Sequence, residues 1–234
     1  MKRFLMFVLM AFIVQTMAWG TDWKAQWIEA QRCTDTMNTW QVFRKTVSLK
    51  TVPHTLKARI AVDSKYWLWI NGKQIVFEGG LKRGPSPKDS YYDVVELAPF
   101  LKKGDNCIAV LTCFYGKEGF SHKSSHRAGF LFDAQGAGIE ILSNSSWEAE
   151  VYDAYGRCKV DTPNFRLCES SLRFDGKNDL GKWFMPAYGK HFPMAKVLNA
   201  GAINGIYGNL VERPIPLFRF SELRNYVDTK FDEQ

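Results

Sequence analysis

The 234-residue sequence has no C-x-x-C pair, no metal-finger spacing, no Gly-Lys-Ser/Thr and no Gly-x-Ser-x-Gly. These absences remove a zinc ribbon, a nucleotide-binding P-loop and a serine nucleophile elbow from consideration. There is a single long apolar run, at the start, which excludes a multispanning membrane protein. No segment shows a convincing helical period, an internal repeat or low complexity. Charge of one sign is not concentrated either. The 31 Lys+Arg and 24 Asp+Glu are scattered, with Lys82-Arg83 and Lys102-Lys103 the densest basic pairs, both beside turn residues. A nucleic-acid-binding face needs a basic cluster, so nucleic acid is not an expected partner. Cysteine is sparse and odd in number: Cys33, Cys107, Cys113, Cys158 and Cys168. Cys107 and Cys113 fall on one predicted strand, where six residues span ~20 Å, too far for a disulfide between them. Cys158 and Cys168 could meet across a hairpin, and buried apolar thiols account for the rest.

The opening run reads as an export signal over residues 1–20. Lys2 and Arg3 form a positive start, Phe4 to Val14 a short apolar stretch, and Ala18-Trp19-Gly20 a small-residue cleavage site. The run is too short for a comfortable transmembrane helix, and no Cys follows closely enough for a lipid anchor. The expectation is an exported protein, periplasmic or extracellular, without a stable membrane anchor. Removing Lys2 and Arg3 leaves 29 basic residues against 24 acidic ones.

Aromatic residues are abundant: 17 Phe, 9 Tyr and 8 Trp, 15% of the chain. Period-two alternation dominates. In Leu56–Asp63 the apolar set Leu56, Ala58, Ile60 and Val62 faces one way, and Lys57, Arg59 and Asp63 face the other, as in a half-buried strand. Tyr66–Ile70 runs into Asn71-Gly72 and resumes at Gln74–Phe77, a hairpin with a type I′ turn. On its first arm Tyr66, Leu68 and Ile70 share one face, Trp67 and Trp69 the other. Cys107–Phe114 is apolar on both faces apart from Thr112 and reads as a central strand. Phe130–Phe132 with Gly138–Leu142 predicts a hairpin around Gly136, Ser146–Val151 another strand, and Asn164–Leu167 a further one. Strands every eight to twelve residues predict an all-β, antiparallel sandwich over 21–200. Residues 201–234, with Pro214 and Pro216, read as an extended connector with a short amphipathic end at Leu223, Tyr226 and Val227.

Glycoside cleavage needs two carboxyls ~5 to 9.5 Å apart. Glu78, Asp89, Asp93 and Glu118 sit on loops beside aromatics, and bonding to turn amides or solvent explains them as well, so no catalytic residue is assigned. His122 and His126 have zinc-compatible spacing only on a helix, and Gly119 and the intervening serines argue for a loop with a hydrogen-bonded histidine. Sugar binding asks for less: an aromatic platform and a few polar groups in a shallow cleft. Trp67, Trp69, Tyr91 and Tyr92, with Lys82, Arg83 and Asp89, have that chemistry. The two tryptophans serve equally well as core residues or as a docking face for another domain.

Several segments resemble the bacterial α-L-rhamnosidases, a glycoside hydrolase family. They are Trp23–Ile28, Trp69–Lys73 with the Gly-Pro loop and Tyr92-Asp93-Val94, Leu101–Val110, Gly119–Ser125, Asn164–Leu167, Arg173-Phe174-Asp175 and Asn209–Pro216. The likeness covers nearly the whole chain after residue 20. The resemblance implies a jelly-roll β-sandwich of the galactose-binding-domain kind, which in that family precedes a large α/α barrel carrying both acids of the inverting mechanism; this sequence ends before such a barrel. The resemblance therefore implies a non-catalytic sandwich, in truncated or split form. Its partner would be a rhamnose-containing glycan or an α/α-barrel catalytic domain. A free-standing carbohydrate-binding module and a structural domain assembling with a separate barrel remain open. Related modules bind rhamnose through calcium, for which no ligand set is placed here.

Overall fold

A computed structural model of the chain describes residues 23–81, 84–120, 122–158, 169–198, 205 and 207–219. The export signal, Lys82, Arg83, Asn164–Leu167, Cys168 and the amphipathic end at Leu223–Val227 lie outside the described residues. The elements are β1 (Ile28–Glu29), β2 (Thr39–Leu49), β3 (Lys57–Asp63), β4 (Lys65–Ile70), β5 (Lys73–Gly80), β6 (Ser90–Glu96) and β7 (Gly104–Phe114). They continue as β8 (Gly129–Gly136), β9 (Ile139–Leu142), β10 (Glu148–Val151), β11 (Tyr155–Arg157), β12 (Leu172–Phe174), β13 (Lys196–Val197) and β14 (Leu210–Glu212). Among the described residues, the helical content is two single turns and no helix is long and apolar enough to cross a membrane.

The strands form a sandwich without barrel closure. One sheet runs β10-β2-β7-β4-β5, and the other runs β13-β1-β8-β3-β6-β14 with β9 added beside β8. A small ribbon pairs β11 with β12. The pairings are antiparallel except one: β14 lies parallel to β6, Leu210 opposite Ser90. Residues 210–212 thus add a strand to the sandwich from within the stretch expected to be connector. A parallel partner is available here because the chain returns from far along the sequence rather than through a tight turn.

Alternation explains the layers. Tyr66, Leu68 and Ile70 from β4, Ile60 and Val62 from β3, Phe43 from β2, and Phe130 and Phe132 from β8 fill the space between the sheets with Trp147. The Asn71-Gly72 turn has φ of 53° and 83°, the double left-handed geometry of a type I′ hairpin. Beyond Asp105, β7 is buried at every position and sits at the centre of its sheet, as its two apolar faces imply.

Both outer faces are covered as well, which period two alone does not reveal. Trp40, Val42, Cys107, Ala109, Leu111 and Cys113 on the five-stranded sheet pack under Tyr152, Trp183 and Phe192. On the other sheet Ala61, Tyr92 and Leu131 lie under Ala25, Trp27, Leu198 and Tyr207. The expected half-buried β3 is corrected accordingly. Arg59 sits 4.3 Å from the Trp23 ring centroid, and Asp63 is 1% exposed.

Candidate functional site

Register across the five-stranded sheet sets up the site. Trp40 on β2 and Lys65 on β4 are both opposite Cys113 on β7, so the three form one row on the outer face. Trp67 stands one row along, opposite Leu111. The edge strand β5 is irregular here: Tyr66 pairs Gly79 but Leu68 pairs Val76, which inserts an extra residue around Phe77–Glu78. Glu78 takes φ of 55° in this bulge, a backbone cost of order 1–3 kcal/mol that clusters at functional positions. Gly79 follows because a β-carbon there would collide with the Tyr66 ring. Glu78 reaches Lys65.

Lys65 is the hub. Its Nζ donates to Glu169 Oε1 at 2.8 Å and to Glu78 Oε1 at 3.2 Å, and lies 5.6 Å from the Trp67 ring and 5.7 Å from the Tyr115 ring. The Tyr115 hydroxyl donates to Glu169 Oε1 at 2.6 Å. Burial favours a neutral Lys65, but the hydrogen bonds and charges of Glu169 and Glu78 outweigh it and hold the ammonium above its ordinary value. Burial would also raise Glu169; Lys65 and Tyr115 overcome that and hold its carboxyl below the usual range. Trp40 is stacked between Tyr155 at 4.3 Å and Trp67 at 5.4 Å. Trp40, Lys65, Trp67, Glu78, Tyr115 and Glu169 line a cleft of about 150 Å³, and Asn38 and Trp40 also border a neighbouring cleft of about 300 Å³ that Tyr155 lines. Asn38 accepts from the Trp40 indole N–H at 3.2 Å, while its buried Nδ2 has no partner. The arrangement offers aromatic rings and fixed charges.

Glu78 and Glu169 share one ammonium, which brings two carboxyls together. A glycosidase acid needs a raised pKa to hold its proton, whereas Lys65 and Tyr115 hold Glu169 low.

The residues proposed from sequence do not form one patch. Trp67 lies in the cleft. Trp69 is two residues along and is covered by Phe184, stacked at 5.4 Å, and Trp183, edge-on at 5.5 Å. Tyr92 belongs to the opposite sheet, where it meets Trp23 edge-on at 5.2 Å and donates to Glu212 at 3.4 Å. Tyr91 is beside it on β6, opposite Val211. Asp89 accepts from Ser86 Oγ at 2.7 Å and from Asn209 Nδ2 at 3.0 Å, fastening the loop to the segment before β14. Arg83 is outside the described residues. β4 and β6, though near in sequence, enter different sheets, which separates Trp67 and Trp69 from Tyr91 and Tyr92. Lys65, Trp40, Asn38, Tyr115 and Glu169 were not anticipated, because register and a distant return segment bring them together. Glu78 was noticed only as an acid beside a glycine-rich loop.

His122 is a buried, hydrogen-bonded loop histidine: its Nε2 lies 3.3 Å from Ser64 Oγ and 3.4 Å from Asp63 Oδ1. Among the described residues, Glu29, Cys33 and Asp35 converge. Glu29 Oε1 already meets Lys196 at 2.9 Å and Arg127 at 3.3 Å, and burial pushes the Cys33 thiol up to about 12. Calcium wants six to eight oxygens, so this donor set does not fit that ion.

No family model and no curated protein matches the sequence. Solved structures do match its fold. The GH78 family rhamnosidase of Bacillus sp. GL1 superposes with a TM-score of 0.70 at 23% identity, over 83% of this chain and 20% of that one. The α-L-rhamnosidase from Dictyoglumus thermophilum gives 0.60 at 16% identity, over 83% and 22%. The α-L-rhamnosidase from Aspergillus terreus gives 0.58 at 18%, over 76% and 22%. The chain spans about a fifth of the length of these enzymes. At these identities the likeness establishes the jelly-roll sandwich fold.

Proposed function

We propose that this chain is a non-catalytic, carbohydrate-binding-like sandwich associated with the hydrolysis of terminal L-rhamnosides, exported and working beside an α/α-barrel catalytic domain. The observation that carries binding is the Lys65–Trp67 cleft. A pyranose presents an apolar C–H face to an aromatic ring and hydroxyls to fixed polar groups. Trp67 supplies the ring, and Lys65 and Glu78 the charged partners. The fold shared with the rhamnosidases and the segments Trp69–Lys73, Gly119–Ser125 and Asn209–Pro216 support that class of sugar.

Isothermal titration with L-rhamnose and methyl α-L-rhamnoside, with and without calcium, tests the reading. Weak saturable heat is expected. Trp67→Ala should lower affinity about tenfold, since a desolvated aromatic contact contributes of order 0.5–1.5 kcal/mol. The absence of heat with both sugars in both conditions removes glycan binding. Purified protein should release no p-nitrophenol from the aryl rhamnoside, and release would overturn the non-catalytic part.

A further inference from the structure

A second cleft, of about 330 Å³, opens on the same outer face where β2 and β10 meet the segment 186–194. Arg44 lines it four residues along β2 from Trp40, ~14 Å at the usual strand rise. Arg44 is 7% exposed. Its Nη2 donates to the Met185 carbonyl at 3.2 Å and approaches Cys107 Sγ at 3.5 Å, and its guanidinium lies 5.1 Å from the Tyr188 ring. Nε has no partner. None of these contacts is anionic, and no carboxylate pairs with Arg44 among the described residues.

The expected counter-ion is close but engaged elsewhere. Glu148 is the cross-strand partner of Arg44 by register, which places both side chains on one face. Its Oε1 instead meets His191 Nδ1 at 2.7 Å. Lys45, also on the cleft, donates among the described residues to neutral atoms, the Ser146 carbonyl at 3.0 Å and Ser146 Oγ at 2.6 Å. Burial lowers the Lys45 ammonium below its ordinary value, as expected for a cation without an acid partner. Buried charges are ordinarily paired, and an arginine fork matches a planar carboxylate in two parallel hydrogen bonds. The cleft volume falls at the lower end of small-molecule sites.

We infer that this cleft binds an acidic saccharide, with a uronate carboxylate on the Arg44 guanidinium and Lys45 beside it. The saccharide half of this inference rests on the carbohydrate reading above, while the anion half stands on Arg44. Glu148 also lines the cleft, its Oε1 turned to His191, and its charge opposes an anionic ligand.

The test is titration of the full chain with D-galacturonate, D-galactose as the neutral control and acetate as the sugarless one. Galacturonate should bind at least tenfold tighter than either control. Arg44→Met should weaken it at least tenfold, Glu148→Gln should tighten it severalfold, and Trp67→Ala should leave it unchanged. Arg44→Met should also keep its thermal midpoint at or above the parent's, because it removes a buried charge that lacks a partner. If that variant does not fold, Glu148→Gln decides alone: tighter binding supports the site, and unchanged or weaker binding overturns it. Absence of galacturonate binding, equal binding of acetate or galactose, or indifference to Arg44→Met in a folded variant also overturns it. Failure of L-rhamnose to bind the Lys65 cleft leaves these arms intact, so the two readings fail separately.

Discussion

Asp63 illustrates how far a side chain's role can depart from its place in a pattern. Alternation puts it on the polar face of β3, yet it is 1% exposed. Ser64 Oγ donates to Oδ1 at 2.6 Å, and the Ser125 amide and hydroxyl each donate to Oδ2 at 2.6 Å. Burial would raise its pKa, but His122, Ser125 and Ser64 together hold the carboxyl below its usual value. A lowered folded-state pKa means the carboxylate stabilises the fold above about pH 4, and the stabilisation disappears as pH falls through the folded value. Asp63→Asn should therefore destabilise by roughly 3–5 kcal/mol at pH 6. Urea midpoints of parent and variant should converge below pH 4, and a gap that stays constant down to pH 3 would refute the assignment. The sequence contains the hint in Ser124-Ser125 beside His122, but nothing local says that this loop folds back onto β3.

Among the elements, β14 is the one whose position needs most explanation. It joins β6 in parallel, held by the Ser90 amide donating to the Asn209 carbonyl at 2.9 Å and the Arg213 amide donating to the Tyr92 carbonyl at 2.9 Å. Tyr207 precedes it, stacked on Trp27 at 3.7 Å with its hydroxyl donating to the Ala128 carbonyl at 3.0 Å. Gly208 has φ of 70°, and a β-carbon there would overlap the Lys88 carbonyl oxygen. Gly208→Ala should cost about 2 kcal/mol or more, from the left-handed backbone and the clash together. Faster proteolysis within 207–219 and a lower urea midpoint are the expected readouts, and an unchanged digestion pattern would show that this approach does not hold the strand. The hairpin β4–β5 is the contrasting case, since Asn71-Gly72 and the alternation around it are local and suffice to predict both strands.

At the scale of the molecule, the described residues form two packed sheets and a small ribbon with three apolar layers. It still exposes large apolar side chains, Phe120 at 80%, Phe218 at 70% and Ile215 at 64%. Apolar surface left uncovered at a docking face favours association with a partner or a second copy. Sedimentation velocity should show concentration-dependent self-association, diminished by Phe120→Ser with Phe218→Ser. A monomer that persists at high concentration would count against a docking role. The candidate site also belongs to this level. Trp67 could be chosen from the sequence because its parity sets it apart from the core arm of the hairpin. Trp40 and Lys65 could not, because they meet only through their shared partner Cys113 on β7.

Local order was enough to specify the all-β class, the type I′ hairpin, the doubly apolar central strand and the inward set of β3, because pleat and turn chemistry act over two to four residues. Which outer faces are covered, where Asp63 and Arg44 are buried, and which aromatic residues share a cleft depended on long-range register and on segments returning from about sixty to more than a hundred residues away. Those contacts carry no periodic signature, and they separated Trp67 from Tyr92 by placing them on opposite sheets.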